Sequence, residues 1–472
     1  MAGLRKTVFT HPLWRKAVGD WSDWKIRVPT FRGPQPGLHW IGPIMVVASL
    51  AVSWPAFSGA LGEHGSSVRN GLFLGAVAIL LMTWSFVLAL RLRILEPLFG
   101  GLDSMYSVHR WTGVLAVAAM YLHVRVEPEV RNGILGAGKD IAETATDLAG
   151  TAETLFYVLI GISLLRLVPY RYWRWTHKSL GIPFAFASWH FYTASKPYAN
   201  GSAWGWWFGI FMILGITAYA LRVVGRDMGF RGVRYRTASV DHTATTTELT
   251  LRPAGKRLLR HRAGQFAFLK IQVPGVQEPH PFSIASSPSD EGLRFVIRDV
   301  GDWTRRLRNQ PLLGCDVFVE GPYGRFSPLS SAKKTVWIAG GVGITPFLSA
   351  LDGLPSHPGP RPDLFYAVRN HDDAVGLREL EAAAAAGLLN LRVYSSGAGL
   401  RLSADELAGV YGPKGLSGAH VGLCGPEGLI WAMDTACREL GAERIAHEDF
   451  DMRRAIGPDI SVDLEKVVRR GR

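Results

Sequence analysis

Long apolar runs fill the first half of the chain, and charged or glycine-rich stretches separate them. Six runs approach the roughly 20 residues that a helix needs to cross the apolar core of a bilayer. They cover residues 40–61, 71–90, 108–126, 151–168, 176–193 and 203–223. The pattern predicts a six-helix transmembrane bundle over residues 40–225, preceded by a cytoplasmic N-terminal segment, residues 1–39.

The hydrophobic pattern changes after residue 230 to short β-branched and aromatic runs that glycine and proline interrupt. Many short strands with turns between them predict a small antiparallel β-barrel over residues 230–330. An apolar strand, a glycine-rich turn and a helix start then open a Rossmann-like α/β domain over residues 333–454. A C-terminal extension, residues 455–472, follows. The fold class expected is therefore a multi-domain membrane protein.

Basic residues are distributed unevenly, and they orient the predicted bundle. The chain has 52 Lys and Arg against 39 Asp and Glu, a formal net charge of +13. Lysine and arginine concentrate before the first run and after the second, fourth and sixth, as they do in cytoplasmic loops. This pattern puts both termini in the cytoplasm, and the expected location is an inner or plasma membrane. Because these residues flank membrane spans, membrane lipid is the expected partner and nucleic acid is not.

Four histidines lie inside the third and fifth apolar runs: His109, His123, His177 and His190. Histidine is costly in hydrocarbon and is usually retained there for a function, and neutral imidazole is an axial ligand of haem iron. The first two are 14 residues apart, about 21 Å of helical rise on nearly the same face. The other two are 13 apart, about 20 Å of rise but roughly 140° from a shared face. We expect residues 181–183, Gly-Ile-Pro, to kink the helix between them.

The predicted topology decides which histidines would share a metal. Both runs cross from inside to outside, so His109 pairs with His177 near the cytoplasmic face and His123 with His190 near the outer face. Two stacked haems are expected, and without a C-x-x-C-H sequence they would be non-covalent haem b. The alternative is that some of the four are satisfied core or interface histidines. The three cysteines lack the spacing of a zinc site, a disulfide framework or an iron–sulfur cluster.

A glycine-rich turn in the α/β region is a candidate phosphate cradle. It follows an apolar strand and consists of Gly340, Gly341, Val342, Gly343, Ile344, Thr345 and Pro346. Glycines let the backbone approach a pyrophosphate, and a helix N-terminus favours its negative charge. A turn that serves only packing is the alternative.

An ordered set of neighbouring motifs surrounds this turn. Before it come Gly264-Gln265-Phe266, His280-Pro281-Phe282-Ser283, residues 298–304 and Gly321-Pro322-Tyr323-Gly324; after it come Arg369, Cys424-Gly425-Pro426 and Glu448-Asp449-Phe450. The set resembles the ferredoxin-reductase-like dehydrogenase module of the NADPH oxidase and ferric reductase superfamily, over residues 235–454. The transmembrane half is similar to the same superfamily, and its histidine spacing resembles that of NADPH oxidases. The whole chain resembles a bacterial transmembrane flavocytochrome b of the NADPH oxidase type.

The resemblance implies how FAD would be bound. The flavin would be lined by His280, Pro281, Phe282 and Ser283. Arg298 and Thr304 would hold the FAD pyrophosphate, because guanidinium suits bidentate phosphate contact, and Trp303 would pack on the adenine side. Core packing for Phe282 and a solvated position for Arg298 remain alternatives.

The resemblance also implies a nicotinamide site. The turn from Gly340 to Pro346 would hold NADPH, with Thr345 near the nicotinamide, and Cys424, Gly425 and Pro426 would close the same pocket. Phe450, unless it is plain core, would cover the flavin until nicotinamide displaces it. Cys424 and Phe450 are therefore the expected catalytic residues.

The preference for NADPH over NADH rests on three residues that follow strands. Arg369 would bind the 2′-phosphate, assisted by Ser396 and Arg401, and no acidic residue occupies the place of Arg369 to take a ribose hydroxyl pair. Arginines at such positions are often only solvated, which is the alternative here.

The implied function is transmembrane electron transfer from cytoplasmic NADPH through FAD and two haems to an acceptor on the outer face. Dioxygen, giving superoxide, is the preferred acceptor; Fe(III) chelate, or a quinone or protein partner docked on residues 133–150, are the alternatives. Two departures from the oxidases leave the choice open. Glu127 stands where a further histidine is usual, and the chain continues for 22 residues beyond Phe450. Arg69 matches an outer arginine of the family or anchors lipid headgroups.

Overall fold

The structure is a computed structural model that describes residues 38–58, 65–126, 130, 133–164, 170–226, 232–330, 332, 334–356 and 359–447. The chain forms two compact units that meet in sequence near residue 227. The first is helical and the second contains the two β-sheets. Residues 1–37 of the N-terminal segment, Glu127, the aromatic Phe450 and the C-terminal extension lie outside the described residues.

The helical unit contains nine α-helices in its described part. They are α1 (Ile41–Ser53), α2 (Pro55–Ser58), α3 (Ser66–Ala89), α4 (Glu96–Phe99), α5 (Leu102–Val126), α6 (Lys139–Leu164), α7 (Tyr170–Lys178), α8 (Gly181–Thr193) and α9 (Ala203–Ala220). Helix α3 packs along α5 and α9, and α6 packs along α8. Many of the large apolar side chains on these helices are exposed, for example Val47, Trp206 and Ile213, as expected of surfaces that face lipid tails.

The prediction of six spans is not confirmed. Among the described helices, four are long and apolar enough to cross a membrane: Ile41–Ser58, Ser66–Ala89, Lys139–Ser163 and Ala203–Gly225. Helix α5 is 25 residues long, but its histidines and arginines make it too polar. The predicted fifth span is divided, because α7 ends at Lys178 and α8 begins at Gly181. The bend expected near residues 181–183 is therefore a break between two shorter helices.

Helix α6 begins well before the predicted fourth span. Residues 139–150, predicted as part of an outer loop, form its first three turns. Ala142, Ala145, Ala152 and Phe156 are buried, and their spacing of three, seven and four residues gives the helix one apolar face. The acidic residues that suggested a loop lie on its exposed side, where Lys139 pairs with Glu143 at 3.7 Å.

The second unit begins with the predicted antiparallel barrel. Its strands are β1 (Val233–His242), β2 (Thr246–Pro253), β3 (Phe266–Ile271), β4 (His280–Ser283), β5 (Leu293–Arg298) and β6 (Asp316–Tyr323), in the order β4-β3-β6-β1-β2-β5. Alternate side chains such as Leu249, Leu251 and Val317 are fully buried inside the sheet, since neighbouring side chains in a strand point to opposite faces. A short helix, α10 (Asp302–Arg308), follows β5.

The predicted α/β domain is a five-stranded parallel sheet. Its strands are β7 (Lys334–Gly340), β8 (Asp363–Val368), β9 (Asn390–Ser395), β10 (Ala419–Cys424) and β11 (Arg444–His447), in the order β11-β10-β7-β8-β9. The accompanying helices are α11 (Thr345–Leu348), α12 (Leu377–Ala385), α13 (Ala404–Tyr411) and α14 (Glu427–Glu439). The central strand β7 has the apolar run of a strand that is covered on both faces. The carboxyl ends of all five parallel strands lie at one edge of the sheet, and ligands bind at this edge in open α/β sheets.

Candidate cofactor sites

The first predicted histidine pair is brought together by α5 and α7. The ring centroids of His109 and His177 are 6.0 Å apart, and the rings are inclined by 78°. Two imidazoles that bind one metal through nitrogen bonds of about 2 Å place their ring centroids about 6 Å apart. The separation of the two rings therefore suits two ligands that would bind one iron. Trp173, one turn before His177, stacks on its ring at 4.9 Å.

The second pair lies farther along α5 and on α8, the helix that follows α7. His190 on α8 is within electrostatic range of His123 on α5. The ring of His123 packs closely against α3, because a Cβ built on Gly75 would lie 2.9 Å from its Nδ1 atom. Glycine at this position leaves room for the imidazole.

Both histidines of α5 are oriented by main-chain carbonyls of α3. Nδ1 of His109 lies 2.9 Å from the carbonyl oxygen of Ser85, and Nδ1 of His123 lies 2.8 Å from that of Gly71. A carbonyl only accepts hydrogen bonds, so Nδ1 carries the proton in each neutral ring. The lone pair is then on Nε2, as a metal ligand requires.

The other two histidines contact hydroxyl groups of α6. Nδ1 of His177 lies 3.1 Å from Oγ of Ser163, and Nδ1 of His190 lies 3.4 Å from Oγ1 of Thr146. All four imidazoles thus have a hydrogen-bond partner at Nδ1 on a neighbouring helix. These partners were not predicted, because only the packing of α3 and α6 brings them to the histidines.

The predicted flavin residues lie together on the barrel. The ring of Trp303 is 4.2 Å from that of His280 and 5.9 Å from that of Phe282, by ring centroids. Phe282 packs against the barrel core that contains Trp303, which agrees with its alternative as a core residue. Oγ of Ser283 and Nε1 of Trp303 are buried and make no hydrogen bond within the described part of the chain. Two buried polar atoms without partners suit a polar ligand such as FAD.

The predicted pyrophosphate residues differ in what their side chains do. Arg298 is exposed at the end of β5, and its Nη1 atom lies 3.7 Å from a Cβ built on Gly341. The guanidinium is therefore beside the glycine turn. The hydroxyl of Thr304 is already engaged: it accepts from the N–H groups of Val300 and Gly301 at 3.0 and 2.9 Å, and donates to the Gly301 carbonyl at 2.9 Å. It shapes the loop before α10.

The glycine turn and residues 424–426 are in direct backbone contact. A Cβ on Gly343 would collide with the carbonyl of Cys424 and lie 2.7 Å from the nitrogen of Gly425, and a Cβ on Gly425 would lie 2.9 Å from the nitrogen of Gly340. The contact follows from the parallel pairing of β7 with β10. The two predicted halves of the nicotinamide site therefore meet, although the same contact explains these glycines by packing alone.

The side chains of this turn are mostly buried. Cys424 is 1% exposed and Thr345 is 3% exposed, and the Thr345 hydroxyl donates to the Val342 carbonyl at 2.9 Å. Ile344 and Pro346 are buried as well. A nicotinamide would meet mainly the backbone of this turn.

The three predicted NADPH-selecting residues lie in two joined loops after β8 and β9. Ser395 Oγ and the Gly397 N–H donate to the Arg369 carbonyl at 3.2 and 2.8 Å, and Ser396 Oγ donates to the Val368 carbonyl at 3.3 Å. The side chains of Arg369 and Arg401 are exposed. Both arginines follow strands that end at the carboxyl edge of the sheet, and their exposure also fits their alternative as solvated residues.

Two protein-family models match the chain. Residues 74–188 match the ferric reductase like transmembrane component, and residues 239–327 match an FAD-binding domain. Together with the four apolar helices, they identify a membrane protein with an attached flavoprotein domain.

Several curated proteins are similar to parts of this chain. The 2-halobenzoate 1,2-dioxygenase electron transfer component of Burkholderia cepacia is 34% identical over 30% of this chain and 43% of its own length. Ferric reduction oxidase 7 of Arabidopsis thaliana is 33% identical over 24% of this chain and 19% of its own length. Respiratory burst oxidase homolog protein A of Solanum tuberosum is 33% identical over 22% of this chain and 13% of its own length. The chain thus spans less than half the length of each of these relatives.

Among solved structures, the FAD/NAD-binding domain of nitric oxide dioxygenase from Vibrio cholerae covers 46% of this chain and 98% of its own, with 22% identity and a TM-score of 0.40. The two family matches and the oxidase relatives show that the chain is similar to proteins of the NADPH oxidase and ferric reductase superfamily.

Proposed function

We propose that this protein moves electrons from cytoplasmic NADPH across a membrane to an acceptor on the outer face, using FAD and two b-type haems. The preferred acceptor is dioxygen, which would be reduced to superoxide. In this proposal α5 and the α7–α8 pair also cross the membrane, giving six spans with both termini in the cytoplasm of a bacterial cell.

The observation that carries the proposal is the geometry of His109 and His177. Their ring separation of 6.0 Å suits one shared metal, and Nδ1 of each has a partner at 2.9 or 3.1 Å. Among the described residues, the polar partners of these two rings lie at Nδ1.

When bound, FAD supplies the exchange between two-electron and one-electron chemistry, and haem b supplies one-electron transfer. The chain holds and insulates these groups. Nε2 of His109 and His177 would bind one iron, and Nε2 of His123 and His190 the other. The 14-residue spacing on α5 sets the two levels about 21 Å apart along the helix.

The second unit, which contains the two β-sheets and is called the reductase unit from here on, would bind the two dinucleotides. Arg298 offers a cation beside Gly341, where two pyrophosphates can approach the backbone. The exposed guanidiniums of Arg369 and Arg401 would select NADPH through its 2′-phosphate. The electron transfer component among the relatives supports a role for this unit as an electron donor.

A buried cation near His190 favours dioxygen or an anionic ferric chelate over a quinone. Lys196 is 5% exposed, and its Nζ donates to the carbonyls of Phe191, Tyr192 and Ala194 at 3.0, 2.7 and 3.0 Å. Burial lowers the pKa of Lys196 to about 8, so the amine remains mostly charged at pH 7. A positive charge there stabilises negative charge that develops on the acceptor.

The acceptor can be tested with the detergent-purified protein loaded with FAD and haem. The sample is reduced by NADPH under anaerobic conditions, and the haem bands are followed after air, ferric citrate or a soluble quinone is added in parallel. Rapid reoxidation in air, with a dismutase-sensitive dye reporting superoxide, supports the oxidase. Bands that persist in air but are bleached by ferric citrate support the ferric reductase instead.

A further inference from the structure

We infer that Ser163 and Thr146, both on α6, are positioning residues that fix the imidazoles of His177 and His190 with the proton on Nδ1. This inference rests on the proposed haem ligation and adds two residues that orient the ligands without touching the metal. The position of the Nδ1 proton follows from the acceptor to which each hydroxyl group donates its own proton.

Ser163 can only accept a hydrogen bond from His177. A hydroxyl has one proton and two lone pairs. The Ser163 hydroxyl donates its proton to the carbonyl of Leu159, one turn earlier on α6, at 2.7 Å. The contact of 3.1 Å with His177 therefore places the proton on Nδ1. The lone pair of His177 is left on Nε2.

Thr146 repeats the arrangement at the other histidine. Its hydroxyl donates to the Ala142 carbonyl, again one turn earlier, at 2.9 Å. The contact with Nδ1 of His190 is longer, 3.4 Å, and therefore weaker. Helix α6 thus carries two hydroxyls, 17 residues apart, that act on two different histidines in the same way.

Each proposed haem would consequently have one ligand oriented by a carbonyl and one oriented by a hydroxyl. The carbonyls of Ser85 and Gly71 belong to the main chain of α3 and cannot be removed by substitution. The hydroxyls of α6 can be removed. Together with the Ser85 hydroxyl, which lies 2.9 Å from Nδ1 of His109, they are the part of the ligand environment that sequence change can adjust.

A hydrogen bond accepted from Nδ1 makes an imidazole a more basic ligand and holds its plane. A more basic ligand stabilises oxidised iron more than reduced iron, so each hydroxyl should lower the potential of its haem. Removing such an outer partner typically weakens metal binding by about 10–100-fold. A tenfold difference between the two oxidation states corresponds to about 59 mV for one electron.

The test is a potentiometric titration of the haem bands in the full-length, haem-loaded protein, with the low-spin EPR signal as a second readout. We expect Ser163→Ala to raise the potential of one haem by at least a tenfold change in equilibrium constant, and Ser163→Thr to restore it. Thr146→Val should raise the potential of the other haem by a smaller amount, because its contact is longer. In both Ser163→Ala and Thr146→Val, the EPR g-values of the affected haem should change.

Thr144→Ala is the matched control. Thr144 is on the same helix and its hydroxyl makes the same bond to a carbonyl one turn earlier, to Asp140 at 2.8 Å, but it is not among the histidine partners. It should leave both potentials unchanged. If Ser163→Ala loses its haem, Ser163→Thr decides: retained haem supports the inference, and lost haem shows that shape rather than the hydroxyl matters.

Two contrary results are distinguishable. Two haems in the wild-type protein together with unchanged potentials in Ser163→Ala would overturn this inference and leave the proposed function intact. A wild-type protein that binds no haem would overturn both.

Discussion

The two units build their candidate sites from different parts of the chain. In the helical unit, the site consists of four histidine side chains, and the Nδ1 atom of each lies beside one or two polar atoms of a neighbouring helix. In the reductase unit, the nicotinamide site consists mainly of backbone, where glycines 340, 343 and 425 allow two strand ends to touch. Substitutions should therefore remove a cofactor selectively in the first unit and disturb the local fold in the second.

The largest effect is expected from the histidines. His109→Ala and His177→Ala should each remove only one of the two haems, because the other haem is held by His123 and His190. Without the haem of His109 and His177, electron delivery to the outer acceptor should be abolished. Haem content per chain, measured as the pyridine haemochrome, checks this. His242→Ala, at the exposed end of β1, is the control and should retain both haems. Full haem content in His177→Ala would contradict the assignment.

A smaller effect is expected where backbone segments touch. Gly343→Ala should destabilise the reductase unit by about 1–3 kcal/mol, the usual cost of overpacking, because its Cβ would collide with the Cys424 carbonyl. NADPH affinity should fall as well, while haem content stays unchanged. Thermal unfolding and NADPH titration of the holoprotein measure the two effects.

Gly428→Ala is the matched control for that variant. Gly428 lies in α14, and no atom approaches within 4 Å of a Cβ built on it. Alanine there should be neutral or stabilise the helix by up to about 1 kcal/mol. If both substitutions have the same effect, close packing is not what requires glycine at position 343.

The preference for NADPH over NADH should depend on the exposed positive charge of Arg369. Arg369→Ala should raise the KM for NADPH about tenfold, equivalent to about 1.4 kcal/mol, and leave the KM for NADH unchanged. Steady-state reduction of an artificial acceptor measures both constants. Arg378→Ala, exposed on α12, should change neither. An equal loss with both nucleotides would mean that Arg369 does not contact the 2′-phosphate.

The smallest effect concerns pH and the barrel. His261 is 8% exposed, and its Nε2 lies 3.2 Å from the Ser286 carbonyl. Burial, which outweighs that hydrogen bond, lowers the pKa of His261 below its ordinary value of 6.5. Stability from the neutral ring is therefore complete above pH 6.5 and declines as pH falls below it, by at most about 1.4 kcal/mol per pH unit.

Chemical denaturation of the reductase unit within the intact protein at pH 7.5 and 5.5 measures this decline. His261→Gln keeps a donor for the Ser286 carbonyl and cannot titrate, so it should flatten the dependence. A variant with the same slope as the wild type would assign the effect to other groups.

Much of the reductase fold was predictable, because its strands are short, β-branched and bounded by glycine or proline. The antiparallel barrel, and strand β7 with the glycine turn and helix start that follow it, lie where the pattern puts them. The edge strand β11, only four residues long, was not predicted. Its sequence, Arg-Ile-Ala-His, has too few apolar positions to stand out.

The helical unit was less predictable at its ends. The predicted fourth span begins at residue 151, but α6 begins at Lys139, and the acidic residues 140, 143 and 147 occupy its exposed face. The break between α7 and α8 was foreseen as a kink, because proline and glycine weaken a helix, but its extent depends on packing. Tertiary contacts alone determine that Ser163 and Thr146 reach the histidines. The sites assigned by resemblance, including Cys424, remain predictions, and Phe450 lies outside the described residues.

The central claim is that NADPH reduces two histidine-bound haems through one chain. It is tested most directly by titrating the purified, FAD-loaded protein with NADPH without oxygen and recording the visible spectrum. We expect haem b bands equivalent to two haems per chain, fully reduced by one equivalent of NADPH per two haems once the flavin is reduced. A spectrum with flavin bands but no haem bands would contradict the account.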